Sequence, residues 1–373
     1  KSSATLEPEK LIIVAGHGAA AVGVVALDYD ETAEIVLQSE QLGTGHAVSQ
    51  AKSALAGCTG DVIILYGDTP FVRPETLQSL SAARKTADIV VLGFNAGDPG
   101  RYGRVVMQGD AVSRIVEYKD ASEQERAITF CNSGVICAKA EVLFSLLEVV
   151  GNDNASGEYY LTDIVQLAND RNLSVAAVHC DEAETMGINS RAELAQAEAS
   201  FQTRTRAEMM ALGVSLTAPE TVYFAYDTVL GRDSQIEPNV VFGPGVTVEN
   251  SAHIRAFSHL EGCHVSSGAV VGPYARLRFG TELAENVRIG NFVELKNARI
   301  EDGAKVNHLS YIGDANIGEA SNVGAGTITC NYDGVGKHHT EIGASVFIGS
   351  NTMLVAPVTV GDEAMTASGS VIT

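Results

Sequence analysis

From residue 236 to the end of the chain, an aliphatic or aromatic residue returns at almost every sixth position. These residues are Ile236, Phe242, Val248, Ile254, Leu260, Val271, Leu277, Leu283, Ile289, Leu295, Ile300, Val306, Ile312, Ile342, Ile348, Leu354 and Val360. A period of six fits neither an amphipathic helix nor an alternating strand. It is typical of short strands joined by tight corners, with one inward side chain on each flat face. The pattern therefore predicts a parallel β-helix with three faces and roughly 18 residues in each coil.

The coils of such a β-helix must be stabilised by stacking. Each inward side chain contributes only ~1.5–3 kcal/mol, whereas ordering a residue costs ~1–2 kcal/mol. One coil therefore cannot hold itself together, and only the stack can. An ordinary β-sandwich would instead show alternating strands without a fixed six-residue register.

The first half of the chain alternates short apolar runs with helical patterns. Strand-like runs span 11–15, 61–70, 88–94 and 174–180, and helical patterns span 46–56, 74–85 and 139–150. This alternation predicts a Rossmann-like α/β domain with a parallel sheet. Ligands of such sheets gather at the carboxyl ends of the strands, which is where Asp68 is expected.

A segment rich in Ala, Glu, Gln and Arg separates the two patterns. It runs from Ser190 to about Leu212, has no internal Gly or Pro, and is followed by Gly213 as its C-cap. We predict one long helix that is a solvated spacer. The predicted plan is then an α/β domain over 1–189, a helical linker over 190–213 and a β-helix over 214–373.

Composition excludes several kinds of partner. The 373-residue chain has a net charge of −21, which argues against a broadly basic surface for nucleic acid or anionic membranes. No apolar run approaches the ~18 residues that span a bilayer, and no signal peptide is visible. The six cysteines show no CxxC spacing, which predicts reduced thiols in a cytoplasmic protein. Any phosphate group must then be bound by a local cluster of basic residues or backbone N–H groups.

An ordered set of motifs accompanies this plan along nearly the whole chain. The first half carries LQSEQLGTGHA, YGDTP, RYGRV, VEYKDA, CNSGV, GEYYLTD and GINSRAEL, and the second half carries RLRFG, GNFVELK, NHLSYIGD, NVGAGTITCNYDG and FIGSNT. Together they resemble the bacterial bifunctional N-acetylglucosamine-1-phosphate uridyltransferases/glucosamine-1-phosphate N-acetyltransferases. The resemblance implies a left-handed β-helix, a homotrimer, and synthesis of UDP-N-acetylglucosamine for peptidoglycan and lipopolysaccharide precursors.

In the uridyltransferase half, the resemblance implies that Gln38, Gly43 and Thr44 contact the uracil. An amide and glycine-exposed backbone groups can match the edge of that base. Asp68 and Asn189 would hold Mg²⁺, which prefers hard oxygen ligands. The other matched sugar-nucleotide contacts are Tyr66, Gly67, Gly103, Glu117, Asn132, Tyr160 and Thr162. The sugar phosphate would attack the α-phosphate of UTP in line, with pyrophosphate as the leaving group.

One part of the family pattern is missing from this sequence. Family members open with a glycine-rich LxxGxGTxM loop and a nearby lysine that bind the nucleotide phosphates, whereas LIIVAGHGAA resembles the strand that follows. The family's C-terminal segment, which completes the acetyl-CoA site, is missing as well. We therefore expect this sequence to be a fragment, truncated at both ends.

In the acetyltransferase half, the resemblance implies His308 as the catalytic base. A neutral imidazole can accept the proton that the amine of glucosamine-1-phosphate loses as it attacks acetyl-CoA. Arg278 and Lys296 match the sugar-phosphate anchors. The other matched positions are Tyr311, Asn322, Asn331 and Tyr332 for the substrate, and Ala325, Ser350 and Ser368 for acetyl-CoA. We expect the acetyl-CoA residues to lie elsewhere on the solenoid than His308.

Three features of this half depart from a plain repeat or from the family. Phe279 replaces the usual proline, and Ser368 stands where alanine is familiar. Between Val323 and Ile342 the repeat is interrupted by NYDGVGKHH. Such an insertion predicts a binding loop on one face of the solenoid, which could reach a neighbouring subunit.

Other functions remain open on sequence grounds. The β-helix could be purely structural in a sugar-nucleotide pyrophosphorylase, although NHLSYIGD and NVGAGTITCNYDG carry more polar residues than a structural solenoid needs. His308, His338 and His339 could instead bind zinc between subunits. A trimerisation scaffold without activity would show the same repeat.

Overall fold

The computed structural model describes residues 2–373, which divide into two compact units between Leu194 and Ala195. The α-helices are α1 (Ala19–Tyr29), α2 (Thr44–Gln50), α3 (Pro74–Ala83), α4 (Glu123–Arg126), α5 (Ala140–Leu147), α6 (Asp163–Asp170) and α7 (Arg191–Ala211), with 3-10 turns at Ser3–Leu6, Glu182–Thr185 and Pro219–Thr221. No helix within the described residues has the length and apolar character needed to cross a bilayer.

The strands of the first unit are β1 (Ile12–Ala15), β2 (Glu34–Leu37), β3 (Asp61–Ile64), β4 (Ile89–Asn95), β5 (Arg104–Gln108), β6 (Ala111–Val116), β7 (Phe130–Lys139) and β8 (Val175–Cys180). Those of the second unit are β9 (Ser215–Leu216), β10 (Val229–Leu230), β11 (Gln235–Ile236), β12 (Val241–Phe242), β13 (Thr247–Val248), β14 (His253–Ile254), β15 (His259–Leu260), β16 (Cys263–Val265), β17 (Val270–Val271), β18 (Arg276–Leu277), β19 (Thr281–Leu283), β20 (Arg288–Asn291), β21 (Glu294–Ile300), β22 (Lys305–His308), β23 (Tyr311–Ile317), β24 (Asn322–Val323), β25 (Ile328–Cys330), β26 (Thr340–Ile342), β27 (Phe347–Ile348), β28 (Met353–Val355), β29 (Val358–Val360) and β30 (Val371–Ile372).

The main sheet of the first unit is mixed, not parallel as predicted. β4 runs parallel to β8, but β7 lies between β3 and β4 and is antiparallel to both. β7 is buried along nearly its whole length. A strand buried on both faces shows an unbroken apolar run whichever way it points, so the pattern could not reveal its direction. The α/β class and the four predicted strands, seen as β1, β3, β4 and β8, are confirmed.

The second unit stacks its strands in three parallel columns, one on each face. Face I carries β9, β11, β14, β17, β20, β22, β24 and β27; face II carries β12, β15, β18, the first halves of β21 and β23, β25, β28 and β30; face III carries β10, β13, β16, β19, the second halves of β21 and β23, β26 and β29. Gln235 pairs with His253, 18 residues further on. Every residue of the six-residue pattern is buried. The predicted β-helix of hexapeptide repeats is confirmed, and the repeats are consistent with the predicted left hand.

A row of exposed apolar side chains follows the corner between faces I and II. Phe257, Tyr274, Phe292 and Leu309 occupy equivalent positions in successive coils, all with positive φ. The first three rings stack with centroids 4.9 and 5.2 Å apart, and all four side chains are about half exposed. We refer to these four residues as the aromatic ridge.

Helix α7 is not simply a solvated spacer, because the part within residues 195–211 packs on the first coil of the β-helix. Gln202 is 2% exposed; its Nε2 donates to the carbonyl oxygen of Phe224 at 2.7 Å, and its Oε1 accepts from the N–H of Phe224 at 3.0 Å. Arg206 donates to the carbonyl oxygen of Val222 at 2.9 Å. The first coil has no preceding coil to pair with, and the helix satisfies part of its exposed backbone.

We expect Gln202→Ala to destabilise the second unit by ~2–4 kcal/mol, because both backbone groups of Phe224 would lose a buried partner at ~1–3 kcal/mol each. Chemical denaturation followed by circular dichroism would measure the change. Gln196→Ala is the matched control, since Gln196 is exposed on the same helix and its removal should change stability by less than ~0.5 kcal/mol. Equal effects of the two substitutions would contradict the capping role.

Candidate functional sites

The predicted uracil-binding segment is held by backbone contacts to the loop before α6. Gln38 is buried, and its Nε2 donates to the carbonyl oxygen of Gly43 at 3.2 Å. Gly43 has φ 112, and a Cβ there would lie 2.6 Å from the carbonyl oxygen of Tyr159. Thr44 Oγ1 accepts from the N–H of Leu161 at 3.0 Å. Gly43 is thus required both by its conformation and by the close approach of another segment.

Four predicted sugar-nucleotide residues form one connected network. Thr162 Oγ1 donates to Glu117 Oε1 at 3.1 Å. A Cβ on Gly103 would lie 3.4 Å from both carboxylate oxygens of Glu117, and the N–H of Asn132 donates to the carbonyl oxygen of Gly103 at 2.8 Å. The structure therefore brings together residues that the sequence separates by up to 59 positions, from Gly103 to Thr162.

Burial sets the electrostatics of this network. It raises the pKa of Tyr66 to about 12, and it is also the main cause of the raised pKa values of Glu117 and Tyr160. The Tyr66 ring lies against Gly134, where no Cβ would fit, and its hydroxyl hydrogen-bonds to Thr44. These groups form a partly dehydrated polar lining, of the kind that gives hydrogen bonds to a sugar their specificity.

Asp68 and Asn189, the predicted Mg²⁺ ligands, lie on two segments joined by a backbone hydrogen bond. The N–H of Ile188 donates to the carbonyl oxygen of Asp68 at 2.9 Å, and both predicted ligand side chains are exposed, as is Gly67. A carboxylate and an amide oxygen fit a cation that takes its other ligands from water and phosphates. Within residues 2–373, no group of three or more His, Cys, Asp or Glu side chains could hold a metal ion by itself.

His308 ends β22 at the corner between faces I and II, with its side chain exposed. Its Nδ1 lies 2.9 Å from Oδ1 of Asn291, the residue in register one coil earlier. An amide oxygen can only accept, so Nδ1 carries the ring proton and Nε2 keeps a lone pair. When the imidazole is neutral, this contact leaves Nε2 as the nitrogen that can accept a proton.

The predicted acetyl-CoA residues share the corner of His308, which corrects our expectation that they lie elsewhere. The carbonyl oxygens of His308, Ala325 and Ser350 each accept a backbone hydrogen bond from the next coil. These three residues and Ser368 therefore form one column, with coils ~4.8 Å apart. The column is not evident from the sequence because the inserted loop increases the separation between Ala325 and Ser350 to 25 residues, from the usual 17 or 18.

The basic residues predicted for the acetyl site include Arg278 and Lys296 on face II. Arg278 and Lys296 hold equivalent positions in successive coils, and the Lys296 ammonium beside Lys337 lowers the pKa of Lys337. Arg278 donates from Nη1 to Glu294 Oε1 at 2.9 Å. Phe279 leaves this ion pair intact. Two neighbouring ammonium groups repel each other until an anion such as a phosphate comes between them.

Asn331 joins the inserted loop to β23. Its buried side chain donates from Nδ2 to Asp314 and lies 3.5 Å from the hydroxyl of Tyr311. Tyr332 does not join them, because its hydroxyl donates to Gly334 within the loop at 2.7 Å. Asn322 lies apart on face I, in β24.

The inserted loop is folded around Asp333. This carboxylate accepts from the N–H groups of Val335 and Gly336 and lies 2.7 Å from His338 Nε2, and these bonds lower its pKa. His339 instead contacts Glu341 at 3.2 Å. In the described chain the two loop histidines therefore pair with carboxylates.

Three residues of these sites were not among the predicted ones. His46 lies 3.1 Å from Gln38 Nε2, Asn291 orients His308, and Lys337 adjoins Lys296. Each lies inside a motif that was recognised, namely GTGHA, GNFVELK and NYDGVGKHH. The motifs therefore indicated the correct segments, and side-chain contacts in the folded chain identify which residues of each motif belong to the sites.

Comparison with known proteins finds relatives for both halves of the chain. A family model for nucleotidyl transferases matches residues 16–183, and one for the six-repeat bacterial transferase hexapeptide matches residues 339–373. The bifunctional protein GlmU of Ruegeria pomeroyi is 70% identical over 373 residues, covering 100% of this chain and 83% of the relative. That of Roseobacter denitrificans is 66% identical over 358 residues, covering 96% and 80%. The chain belongs to the family of bifunctional GlmU proteins.

Membership of the GlmU family confirms the family predicted from the motifs. It also confirms the predicted enzyme class, a bifunctional acetyltransferase and uridyltransferase of UDP-N-acetylglucosamine synthesis. Nucleotides and acetyl-CoA are the general substrates of these two reactions.

We expect Glu117→Gln to stabilise the first unit at neutral pH while weakening binding of the sugar nucleotide. The folded-state pKa of Glu117 is raised, so its ionised form opposes folding. The stability difference should be absent below the unfolded pKa, grow as pH rises through the folded pKa, and then stay constant. A gain of ~1 kcal/mol would raise Tm by ~2–4 °C.

Differential scanning calorimetry between pH 4 and 8 would measure this effect. Glu31→Gln serves as the control, because Glu31 is an exposed carboxylate in the same unit. A Glu117→Gln protein that is less stable at pH 8 than at pH 4, relative to the unaltered protein, would contradict the burial argument.

Proposed function

We propose that this chain acetylates glucosamine-1-phosphate with acetyl-CoA and then joins the product to UMP from UTP, with Mg²⁺ in the second reaction. The acetyl site lies in 214–373 and the uridyl site in 1–189, joined by the helical linker 190–213, in a cytoplasmic homotrimer. The observation that carries the proposal is the contact of Nδ1 of the exposed His308 with Asn291, at the head of the predicted acetyl-CoA column.

In acetyl transfer, the amine nitrogen of glucosamine-1-phosphate attacks the thioester carbon of acetyl-CoA. His308 Nε2 takes the proton that the nitrogen loses, and the coenzyme A thiolate leaves. Asn291 holds the imidazole in the required tautomer. Lys296, Lys337 and Arg278 bind the sugar phosphate, and this binding places the amine next to the base.

In uridyl transfer, an oxygen of the sugar phosphate attacks the α-phosphorus of UTP, and pyrophosphate leaves from the opposite side. Gln38, Gly43 and Thr44 hold the uracil. The network around Glu117 and Gly103 orients the sugar; Tyr66, Asn132, Tyr160 and Thr162 complete its lining. Asp68 and Asn189 would hold Mg²⁺, which when bound neutralises phosphate charge.

The test is to assay both reactions on one preparation of full-length protein carrying His308→Ala. We expect acetyl transfer to fall by ~10²–10⁴-fold, the usual cost of losing a general base. Uridyl transfer and Tm should stay near their unaltered values, because His308 is exposed and lies in the other unit.

His264→Ala provides the control, since His264 is an exposed histidine of the same β-helix that pairs with Glu249 on face III. It should leave both reactions unchanged. Acetyl transfer at the unaltered rate in His308→Ala would remove His308 as the base. A parallel fall in both activities and Tm would instead indicate a structural role.

The aromatic ridge supports the trimer. A solvent-exposed stack of three rings and a leucine, ending next to His308, is unusual on a monomer and typical of a subunit contact. Packing against a second copy would bring residues of that copy close to the catalytic corner. A shared acetyl site follows from this arrangement.

We expect the double substitution Tyr274→Glu, Phe292→Glu to dissociate the trimer and to reduce acetyl transfer by at least ~10-fold, because two buried charges oppose association. Light scattering at micromolar concentration would give the mass. Thr359→Glu adds a charge to an exposed position on face III and should leave the trimer intact. A double variant that remains trimeric would place the contact elsewhere.

A further inference from the structure

A fully buried guanidinium lies beside the sugar end of the uridyl site. Arg104 is 2% exposed, and the partners seen for it in the described chain are main-chain carbonyls and one ring, with no carboxylate. Its Nη1 donates to Tyr102, its Nη2 donates to Gly100 at 3.1 Å, and Nε and Nη2 each donate to Arg126 at 3.3 Å. Burying a cation without a counter-charge is costly, so packing alone does not account for arginine here.

The carbonyls that Arg104 holds belong to two separate segments. One is the loop just before Gly103, and the other is the end of α4. The Arg104 guanidinium also lies 5.8 Å from the centre of the Tyr118 ring. The guanidinium of Arg126 lies 4.6 Å from the centre of the same ring, and Arg126 Nε donates to the carbonyl oxygen of Tyr118 at 3.3 Å. Arg104 thus holds the loop before Gly103 by hydrogen bonds and contacts the ring of Tyr118, the residue that follows Glu117.

The position of the loop before Gly103 affects ligand binding through the backbone of Gly103. Having no side chain, Gly103 can contact a ligand only through its backbone, and the position of that backbone depends on the loop before it. Its carbonyl oxygen already accepts from the N–H of Asn132, and its Cα faces the carboxylate of Glu117. A planar donor with five N–H groups can hold several carbonyls at once, which a lysine ammonium cannot do in the same geometry.

We propose that Arg104 is a positioning residue that pre-organises Gly103 and Glu117 for the sugar phosphate in uridyl transfer. The inference rests on the proposed function, because it assumes that this network binds the sugar. It predicts an effect on one substrate only. Loss of the guanidinium should weaken the binding of N-acetylglucosamine-1-phosphate, while UTP binding through Gln38 and Thr44 should be preserved.

The test compares Arg104→Lys and Arg104→Met with the unaltered full-length protein, which includes the phosphate loop, using uridyl transfer kinetics with each substrate varied. We expect KM for N-acetylglucosamine-1-phosphate to rise by ~10-fold or more in Arg104→Lys and further in Arg104→Met, with KM for UTP within ~2-fold. Acetyl transfer, in the other unit, should not change. Arg114→Lys is the matched control, because Arg114 is exposed on β6 and pairs with Glu125.

The outcomes separate the two proposals. An unaltered full-length protein that carries the family's phosphate loop and still lacks uridyl transfer would refute the proposed function whatever the variants do. An active unaltered chain with unchanged KM in Arg104→Lys, or with both KM values raised equally, would refute the positioning role of Arg104.

A measurement on the unaltered protein covers the case in which the variants do not fold. Amide hydrogen exchange of residues 98–103, with and without UDP-N-acetylglucosamine, should show a loop that is already protected before the ligand binds. A loop that exchanges freely until the ligand is added would refute the inference.

Discussion

The dry stack of aliphatic side chains inside the solenoid is the constraint on which the second unit depends. No single coil is stable alone, so each inward residue must meet the equivalent residue of the next coil, 17 or 18 positions away outside the inserted loop. Once this register is fixed, the outward positions on faces and corners have no part in the core. They are free to carry the lysines, the histidine and the aromatic ridge, and residues distant in sequence become neighbours in the next coil.

The first unit uses a different means to bring distant residues together. Its sheet places strand ends and the following loops side by side, and glycines at positions such as Gly43 and Gly134 let segments approach more closely than any Cβ would allow. The resulting network is polar and partly buried. This combination raises the pKa values of Glu117 and Tyr66, and it carries a cost in stability that a purely structural pocket would avoid.

Sequence predicted those features that a local pattern encodes. The burial of Ile236, Leu277 or Ile348 follows from a six-residue period, and no tertiary information is needed to see it. The direction of β7 and the packing of Gln202 on Phe224 could not be predicted, because neither changes the local apolar pattern. The residue roles around His308 came from motifs; its partner Asn291 is visible only when coils are stacked, since the two residues lie 17 positions apart.

The inserted loop has a consequence for how such an enzyme can vary. Asn322 pairs with Phe347, 25 residues further on, whereas Gln235 and His253 are 18 apart, a difference of 7. The additional residues leave the solenoid and return at the same level, so the strands that follow keep their alignment. Lengthening or rewriting the loop around Asp333 therefore requires no compensating change in the coils. Loop sequence and scaffold geometry can in this way diverge independently among related chains.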